Sequence, residues 1–356
     1  MTERRVPLRA AVSGLPTYVP GARLAAGAGP AARLASNENP FPPLPAVIAA
    51  ARKAVAEANR YPDLHARDLV EALAALHGLE PAAVVTGNGS VAVLAHALEA
   101  VCEPGDEVLF AWRSFEAYPI AAAVAGARAV RVPLTADGRH DLAAMASAVT
   151  GRTRAVLLCS PNNPTGPALR SAELEDFLAA VPKDVLVLLD EAYLEFVGDP
   201  AAACGVDLLP RQPNLLVLRT FSKAFGLAGL RVGYALAEPR IAAGIRAVAT
   251  PFGVNAVAQA AALAALEVRG EALARVAEIV AERDRVLEAL GQLGWQLPDA
   301  QGNFVWLALG ERAAEFAEHA RGAGVLVRPF AGEGVRVSIG DRVQNDAFLA
   351  TVRDWA

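Results

Sequence analysis

The chain has 356 residues, of which 54% are hydrophobic and 20% are charged, and its formal net charge is −5. This composition is typical of a compact globular enzyme of about two domains, and it excludes a disordered or fibrous chain. The small negative charge gives no electrostatic reason to expect nucleic acid or a membrane surface as a partner.

Cysteine and histidine usage predicts neither a disulfide framework nor a metal site. The 3 cysteines are far apart and form no CxxC pair, which favours a reducing cytoplasm. The 5 histidines are scattered without metal-ligand spacing, so we expect no metal. The N-terminus lacks the apolar segment of a signal peptide, and charge, proline or glycine interrupts the longer apolar stretches.

In chain order, the first elements are an arm and three helices. Residues 1–45 are rich in proline and glycine and predict an arm with a loop. A glycine turn at 87–90 opens the last of the three helices. Apolar residues at helical spacing predict these helices over 44–59, 67–77 and 90–101.

The middle of the chain alternates short apolar runs with helical stretches. Runs that are apolar almost throughout, separated by helices, predict parallel strands covered on both faces. A further run at 232–236 predicts another strand, for which an antiparallel direction is open. We therefore predict the α/β class, with a mostly parallel central sheet and helices on both faces. The strand runs lie at 107–112, 127–132, 155–159, 185–190 and 215–219.

After Pro251 the pattern changes to a long helical region, 256–290, followed by three shorter strands. These strands, at 303–309, 325–328 and 335–339, predict a smaller α+β unit. The predicted organisation is an arm and small-domain segment over 1–45, a large domain over 46–250 and a small domain over 251–356.

Lys223 is one of only 3 lysines, and it lies among small, hydroxyl-bearing and glycine residues in 219–231. Asp190 ends an apolar run 33 positions earlier (223 − 190). A lysine that can form a Schiff base and a carboxylate that can keep a pyridine nitrogen protonated are what pyridoxal phosphate (PLP) needs. The spacing therefore predicts a PLP site, with Lys223 and Asp190 in the catalytic roles.

Further polar residues complete the predicted site. Tyr193, which is also a predicted catalytic residue, and Asn163 can hydrogen-bond the 3-oxygen of the cofactor ring. Phe115 can stack on that ring, although a core aromatic is the alternative interpretation. A phosphate needs backbone N–H groups at a helix start, hydroxyls and a permanent cation. Residues of these kinds are Gly89, Ser90, Thr220, Ser222 and Arg231. Arg328 and Arg336 are candidates to bind a substrate carboxylate, although Arg336 also fits an exposed strand face.

Taken together, these motifs resemble the fold type I PLP aminotransferases, specifically the histidinol-phosphate aminotransferase-like group. The resemblance covers most of the chain: 15–21, 36–40, 60–63, 87–90, 160–166, 190–196, 219–231, 301–304 and 327–340. It implies that Tyr61 reaches the cofactor phosphate of a neighbouring subunit, hence a homodimer. It also implies that Tyr18, Asn163, Arg328 and Arg336 contact the substrate.

Within this group the sequence resembles the branch that acts on aromatic amino acids. The histidine-pathway pattern carries acidic residues after the glycine turn, whereas this chain has Val91, Ala92 and Val93 there. The expected reaction is transfer of an amino group between phenylalanine, tyrosine or tryptophan and 2-oxoglutarate. Histidinol-phosphate aminotransferase is the alternative, and a PLP-dependent decarboxylase or lyase on the same fold is a further one. A PLP-fold sensor of a transcription regulator would need an N-terminal DNA-binding module, for which residues 1–45 are too short.

Overall fold

The computed structural model describes residues 32–355 together with Val6, Arg9, Gly14 and Leu15. Its α-helices are α1 Pro45–Val55, α2 Arg67–His77, α3 Ser90–Val101, α4 Ala117–Val124, α5 Leu142–Ser147, α6 Ser171–Ala180, α7 Pro239–Val248, α8 Ala256–Glu267, α9 Arg269–Gln292, α10 Ala313–Gly322 and α11 Arg342–Arg353. Its strands are β1 Ala32–Arg33, β2 Val84–Gly87, β3 Glu107–Trp112, β4 Arg128–Pro133, β5 Thr153–Cys159, β6 Leu186–Asp190, β7 Leu215–Thr220, β8 Gly233–Ala237, β9 Phe304–Leu307, β10 Val325–Leu326, β11 Arg328–Phe330 and β12 Gly334–Ser338.

A seven-stranded sheet in the order β2-β8-β7-β6-β5-β3-β4 forms the centre. Strands β4, β3, β5, β6 and β7 pair in parallel, and β8 pairs antiparallel with both β7 and β2. This arrangement confirms the predicted mostly parallel α/β sheet. It also resolves the direction that the sequence left open for the strand near 232–236.

Helices cover both faces of this sheet because alternate strand residues point to opposite sides. On one face Val187 and Leu189 pack with residues of α1, α2, α6 and α8. On the other face Leu186 and Leu188 pack with residues of α3, α4 and α7. Both faces of the central strands are therefore mostly apolar, which is why the sequence shows nearly continuous apolar runs.

The C-terminal part forms a second core. Strands β11, β12 and β9 form a three-stranded antiparallel sheet, the small sheet. Strand β10 pairs in parallel with β1 near the N-terminus. Residues of α9, α10 and α11 pack with this sheet. The division of the chain at 45 and 250 stays a prediction.

Two predicted elements are divided in the structure. The helix predicted over 256–290 is α8 and α9, which meet at Val268, where φ −101° and ψ 26° depart from helical values. The strand predicted over 325–328 is β10 and β11, because the first part pairs with β1 and the second with β12. None of the helices within the described residues has the length and apolar character needed to cross a membrane.

Candidate active site

A cavity of about 470 Å³ lies where the carboxyl ends of β5, β6 and β7 face the small sheet. Ligands of open parallel sheets bind at such strand ends. The structure brings most of the predicted site residues together around this cavity. Those that line it are Ser90, Phe115, Asn163, Asp190, Tyr193, Thr220, Ser222, Lys223, Arg231, Arg328 and Arg336.

Lys223 follows β7 by three residues and points its amine into the cavity. Its Nζ donates hydrogen bonds to the carbonyl oxygens of Ser36 at 3.2 Å and Asn37 at 3.0 Å. Removal of the amine from water lowers the pKa of Lys223 to about 7, and the positive charges of Arg336 and Arg231 act in the same direction. A large fraction of the amine is therefore neutral, and so nucleophilic, near pH 7.

Asp190 is the last residue of β6 and is 6% exposed. Burial raises the pKa of its carboxyl group to about 6, while hydrogen bonds oppose that rise by stabilising the carboxylate. These bonds come from the Tyr118 hydroxyl to Oδ2 at 3.0 Å and from the backbone N–H of Ala192 to Oδ1 at 3.2 Å. A buried carboxylate on the cavity wall can pair with a cationic ring nitrogen.

Tyr193 is held by a residue from the N-terminal segment. The Nδ2 group of Asn37 donates to the Tyr193 hydroxyl at 3.0 Å, and Ser338 Oγ donates to Asn37 Oδ1 at 2.9 Å. Burial raises the pKa of Tyr193 above its ordinary value, so the phenol stays protonated. Its proton is thereby available for donation to an acceptor in the cavity.

Arg336 links the small sheet to the turn after β5. Its Nη1 donates to Asn163 Oδ1 at 2.6 Å, and its Nη2 donates to the carbonyl of Ala35 at 2.8 Å. Arg336 is 8% exposed and lines the cavity, so the exposed-face interpretation of this residue is wrong. In the antiparallel pairing of β11 with β12, Arg328 lies directly opposite Arg336.

The start of α3 and the loop after β7 form a region that can hold an anion. Gly89 precedes the helix with φ +80° and offers no side-chain cap, so donor groups at the helix start point outward. Arg231 lies so close that a Cβ added to Gly89 would be 2.5 Å from Arg231 Nη2. Arg231 Nη1 also donates to Ser222 Oγ at 3.4 Å. The buried side chains of Thr220 and Ser222 complete this group.

One predicted residue, Tyr61, lies away from this cluster. Tyr61 is 83% exposed, stacks on Phe252 with ring centroids 4.7 Å apart, and is not among the residues that line the cavity. Tyr18 lies outside the residues that the structure describes.

Three contributing residues were missed by the site prediction. Asn37 donates a hydrogen bond to the Tyr193 hydroxyl, and Tyr118 donates one to the Asp190 carboxylate. Glu116 accepts a hydrogen bond from Arg328 Nη2 at 2.8 Å. Asn37 lies in the 36–40 motif, and the other two lie beside Phe115. Proximity to recognised motifs was the only sequence signal for them.

Comparison with known proteins decides the family. The model of the family "Aminotransferase class I and II" matches residues 31–352. The chain belongs to this family.

The aminotransferase is also similar to individual relatives over its full length. It is 54% identical over 350 residues to the aromatic amino acid aminotransferase of Streptomyces avermitilis, covering 98% of this chain and 97% of that protein. It is 52% identical over 356 residues to the protein of the same name from Thermobifida fusca, covering 100% and 99% of the two chains.

Among solved structures, histidinol-phosphate aminotransferase from Sinorhizobium meliloti in complex with pyridoxal-5′-phosphate has a TM-score of 0.89 and 29% identity, and the match covers 100% of both chains. This likeness confirms the fold type I architecture that the sequence motifs implied.

Proposed function

We propose that this aminotransferase uses PLP to move an amino group between an aromatic amino acid and 2-oxoglutarate. The main support is the full-length sequence identity of 52–54% to relatives named aromatic amino acid aminotransferase, compared with 29% identity to a solved histidinol-phosphate aminotransferase. The cavity supports an aromatic substrate, since part of its wall is apolar. That part comprises Val91, Ala117, Ile120 and Phe330.

The residues around the cavity fit PLP. The group of Gly89, Ser90, Ser222 and Arg231 matches a phosphate, since it combines a helix start, hydroxyls and a guanidinium. A Cβ on Gly89 would lie 2.5 Å from Arg231 Nη2, so glycine is what lets Arg231 approach the helix start this closely. The carboxylate of Asp190 matches the ring nitrogen, and Lys223 matches the cofactor's aldehyde. Bound there, PLP would supply an electron-accepting ring that stabilises negative charge on the substrate's α-carbon.

Each residue would act at a stated atom. Lys223 Nζ would hold the cofactor and, once displaced by the substrate's amino group, carry the proton from the α-carbon. Asp190 would keep the ring nitrogen protonated, and Tyr193 and Asn163 would hydrogen-bond the ring's 3-oxygen. Phe115 would pack against the ring, and Thr220 would add a hydroxyl near the phosphate.

Arg336 would bind the carboxylate of the donor and then that of the acceptor, because its planar guanidinium can donate two parallel hydrogen bonds. Arg328 and Tyr18 are the other proposed substrate contacts. The reaction would run as two half-reactions on one site, with release of the 2-oxo acid between them.

A half-reaction distinguishes the candidate functions. The PLP-loaded enzyme is mixed with L-phenylalanine or with L-histidinol phosphate, and the change in cofactor absorbance is followed. We expect a larger kcat/KM for phenylalanine, with Lys223→Ala as the inactive control. A larger kcat/KM for histidinol phosphate would contradict the proposal. Release of CO2 or ammonia without an acceptor would instead indicate a decarboxylase or lyase.

We further propose that the enzyme is a homodimer, with Tyr61 of each subunit reaching the other subunit's site. The exposed Tyr61 and its stacking partner Phe252, which is 39% exposed, support this proposal as an aromatic surface pair.

A cytoplasmic location is supported by the free thiols of Cys102, Cys159 and Cys204. We propose small-molecule substrates and neither nucleic acid nor a membrane as partners.

A further inference from the structure

Two arginines enter the cavity side by side. Arg328 and Arg336 are direct partners in the antiparallel register of β11 and β12, and each is 8% exposed. Directly opposed residues of an antiparallel pair present their side chains on the same face. The two guanidinium groups therefore lie on the cavity side of the small sheet together.

The two arginines are oriented by different groups. Arg336 donates to the neutral oxygens of Asn163 and Ala35, which fix the direction of its guanidinium. Arg328 Nη2 instead donates to a carboxylate oxygen, Glu116 Oε2, at 2.8 Å. That carboxylate offsets the positive charge of Arg328, whose side chain is 10% exposed.

Glu116 belongs to the cavity itself. It lies between Phe115 and the first residue of α4, and it lines the cavity together with Arg328 and Phe330. The Arg328 guanidinium also lies 5.5 Å from the centroid of the Phe330 ring. The ion pair thus forms a polar part of the wall beside an aromatic one.

We propose that Glu116 is a specificity-determining residue that disfavours substrates carrying a second anionic group. This inference rests on the proposed function. A substrate with a single carboxylate can bind Arg336 and leave the Glu116–Arg328 pair intact. A second carboxylate or a phosphate that binds Arg328 competes with Glu116 for the guanidinium, and the Glu116 carboxylate repels it. The acceptor 2-oxoglutarate is subject to the same competition.

Binding of two substrate-like acids to the PLP-loaded enzyme tests this role. Glutarate has two carboxylates, whereas 3-phenylpropionate has one carboxylate and an aromatic ring. Isothermal titration calorimetry should show that Glu116→Gln lowers the Kd of glutarate by roughly tenfold or more, since charged hydrogen bonds are worth that factor. The Kd of 3-phenylpropionate should stay within about twofold, because its carboxylate does not need Arg328.

Two further variants isolate the cause. In Glu116→Gln/Arg328→Gln the gain for glutarate should disappear, because the second carboxylate has lost its guanidinium. Glu333→Gln is the matched control, since Glu333 pairs with Arg113 but does not line the cavity. It removes the same charge nearby and should leave both Kd values unchanged.

A kinetic measurement gives an independent reading: the ratio of kcat/KM for L-glutamate to that for L-phenylalanine should rise in Glu116→Gln by a similar factor. An unchanged ratio, or equal changes in both Kd values, would overturn the role of Glu116. If the wild type converts no aromatic amino acid but Glu116→Gln still gains glutarate affinity, the proposed function fails and the role of Glu116 stands. Normal phenylalanine turnover without that gain refutes the role of Glu116 alone.

Discussion

The hydroxyl of Tyr118 donates a hydrogen bond to Asp190 Oδ2 across 3.0 Å, and both side chains are buried. Burial alone would favour the neutral acid at Asp190, and this bond favours the carboxylate. Tyr118, on helix α4, therefore stabilises the carboxylate that would pair with the ring nitrogen of a bound cofactor.

Tyr118→Phe should raise the pKa of Asp190 above its value of about 6, because the carboxylate loses a donor. As the pH is lowered, the cofactor-free enzyme should lose affinity for PLP. The midpoint of this loss should lie about one pH unit higher in the variant than in the wild type. Tyr234→Phe is the control, since its buried hydroxyl contacts His77 at 3.0 Å and not Asp190. The same acid-side midpoint in Tyr118→Phe and wild type would refute this prediction.

Lys223 should make the stability of the cofactor-free enzyme depend on pH between about 7 and 10.5. Its native pKa of about 7 lies below the ordinary value of 10.5, so between these pH values the unfolded chain binds one more proton than the native protein. The free energy of unfolding therefore rises with pH in this window, by at most about 1.4 kcal/mol per pH unit.

Lys223→Met removes this dependence. At pH 7 it should be more stable than the wild type in urea denaturation, and the difference should shrink by pH 10. Lys53→Met, at an exposed position of α1, should show no such trend. A difference between Lys223→Met and wild type that stays constant with pH would contradict the lowered pKa.

Arg336→Ala should raise the KM values of both phenylalanine and 2-oxoglutarate, by roughly a hundredfold, because both carboxylates would lose the same two-pronged donor. Steady-state kinetics with each substrate varied in turn measures the two values. Arg336→Lys keeps the charge without the planar fork and should give a smaller rise in both. A change confined to one substrate would show that donor and acceptor do not share this residue.

Tyr61 can be assigned to its own or the neighbouring site by mixing two defective variants. In a dimer of Lys223→Ala and Tyr61→Ala subunits, one site would combine the intact Lys223 of one subunit with the intact Tyr61 of the other. We expect the exchanged mixture to regain wild-type PLP affinity at that site, measured as activity against PLP concentration. If Tyr61 serves its own subunit, the mixture should behave only as the sum of the two parents.

Local sequence patterns were sufficient to predict the sheet and to place Asp190 and Lys223 at the same edge of it. The runs that correspond to β5, β6 and β7 are apolar at nearly every position, and Asp190 and Lys223 lie at or just after the carboxyl ends of β6 and β7. Parallel strands bring their ends to one edge, so these residues could be placed together without knowing any side-chain contact.

Only the tertiary structure decided how the remaining charges are paired. Tyr118 meets Asp190 across 72 positions of sequence, and Glu116 meets Arg328 across 212. Nothing in the local pattern at either end of such a pair specifies the other end, because the contact depends on how α4, the central sheet and the small sheet pack. That packing is stabilised by many apolar contacts throughout the cores, and the hydrogen-bond partners follow from it.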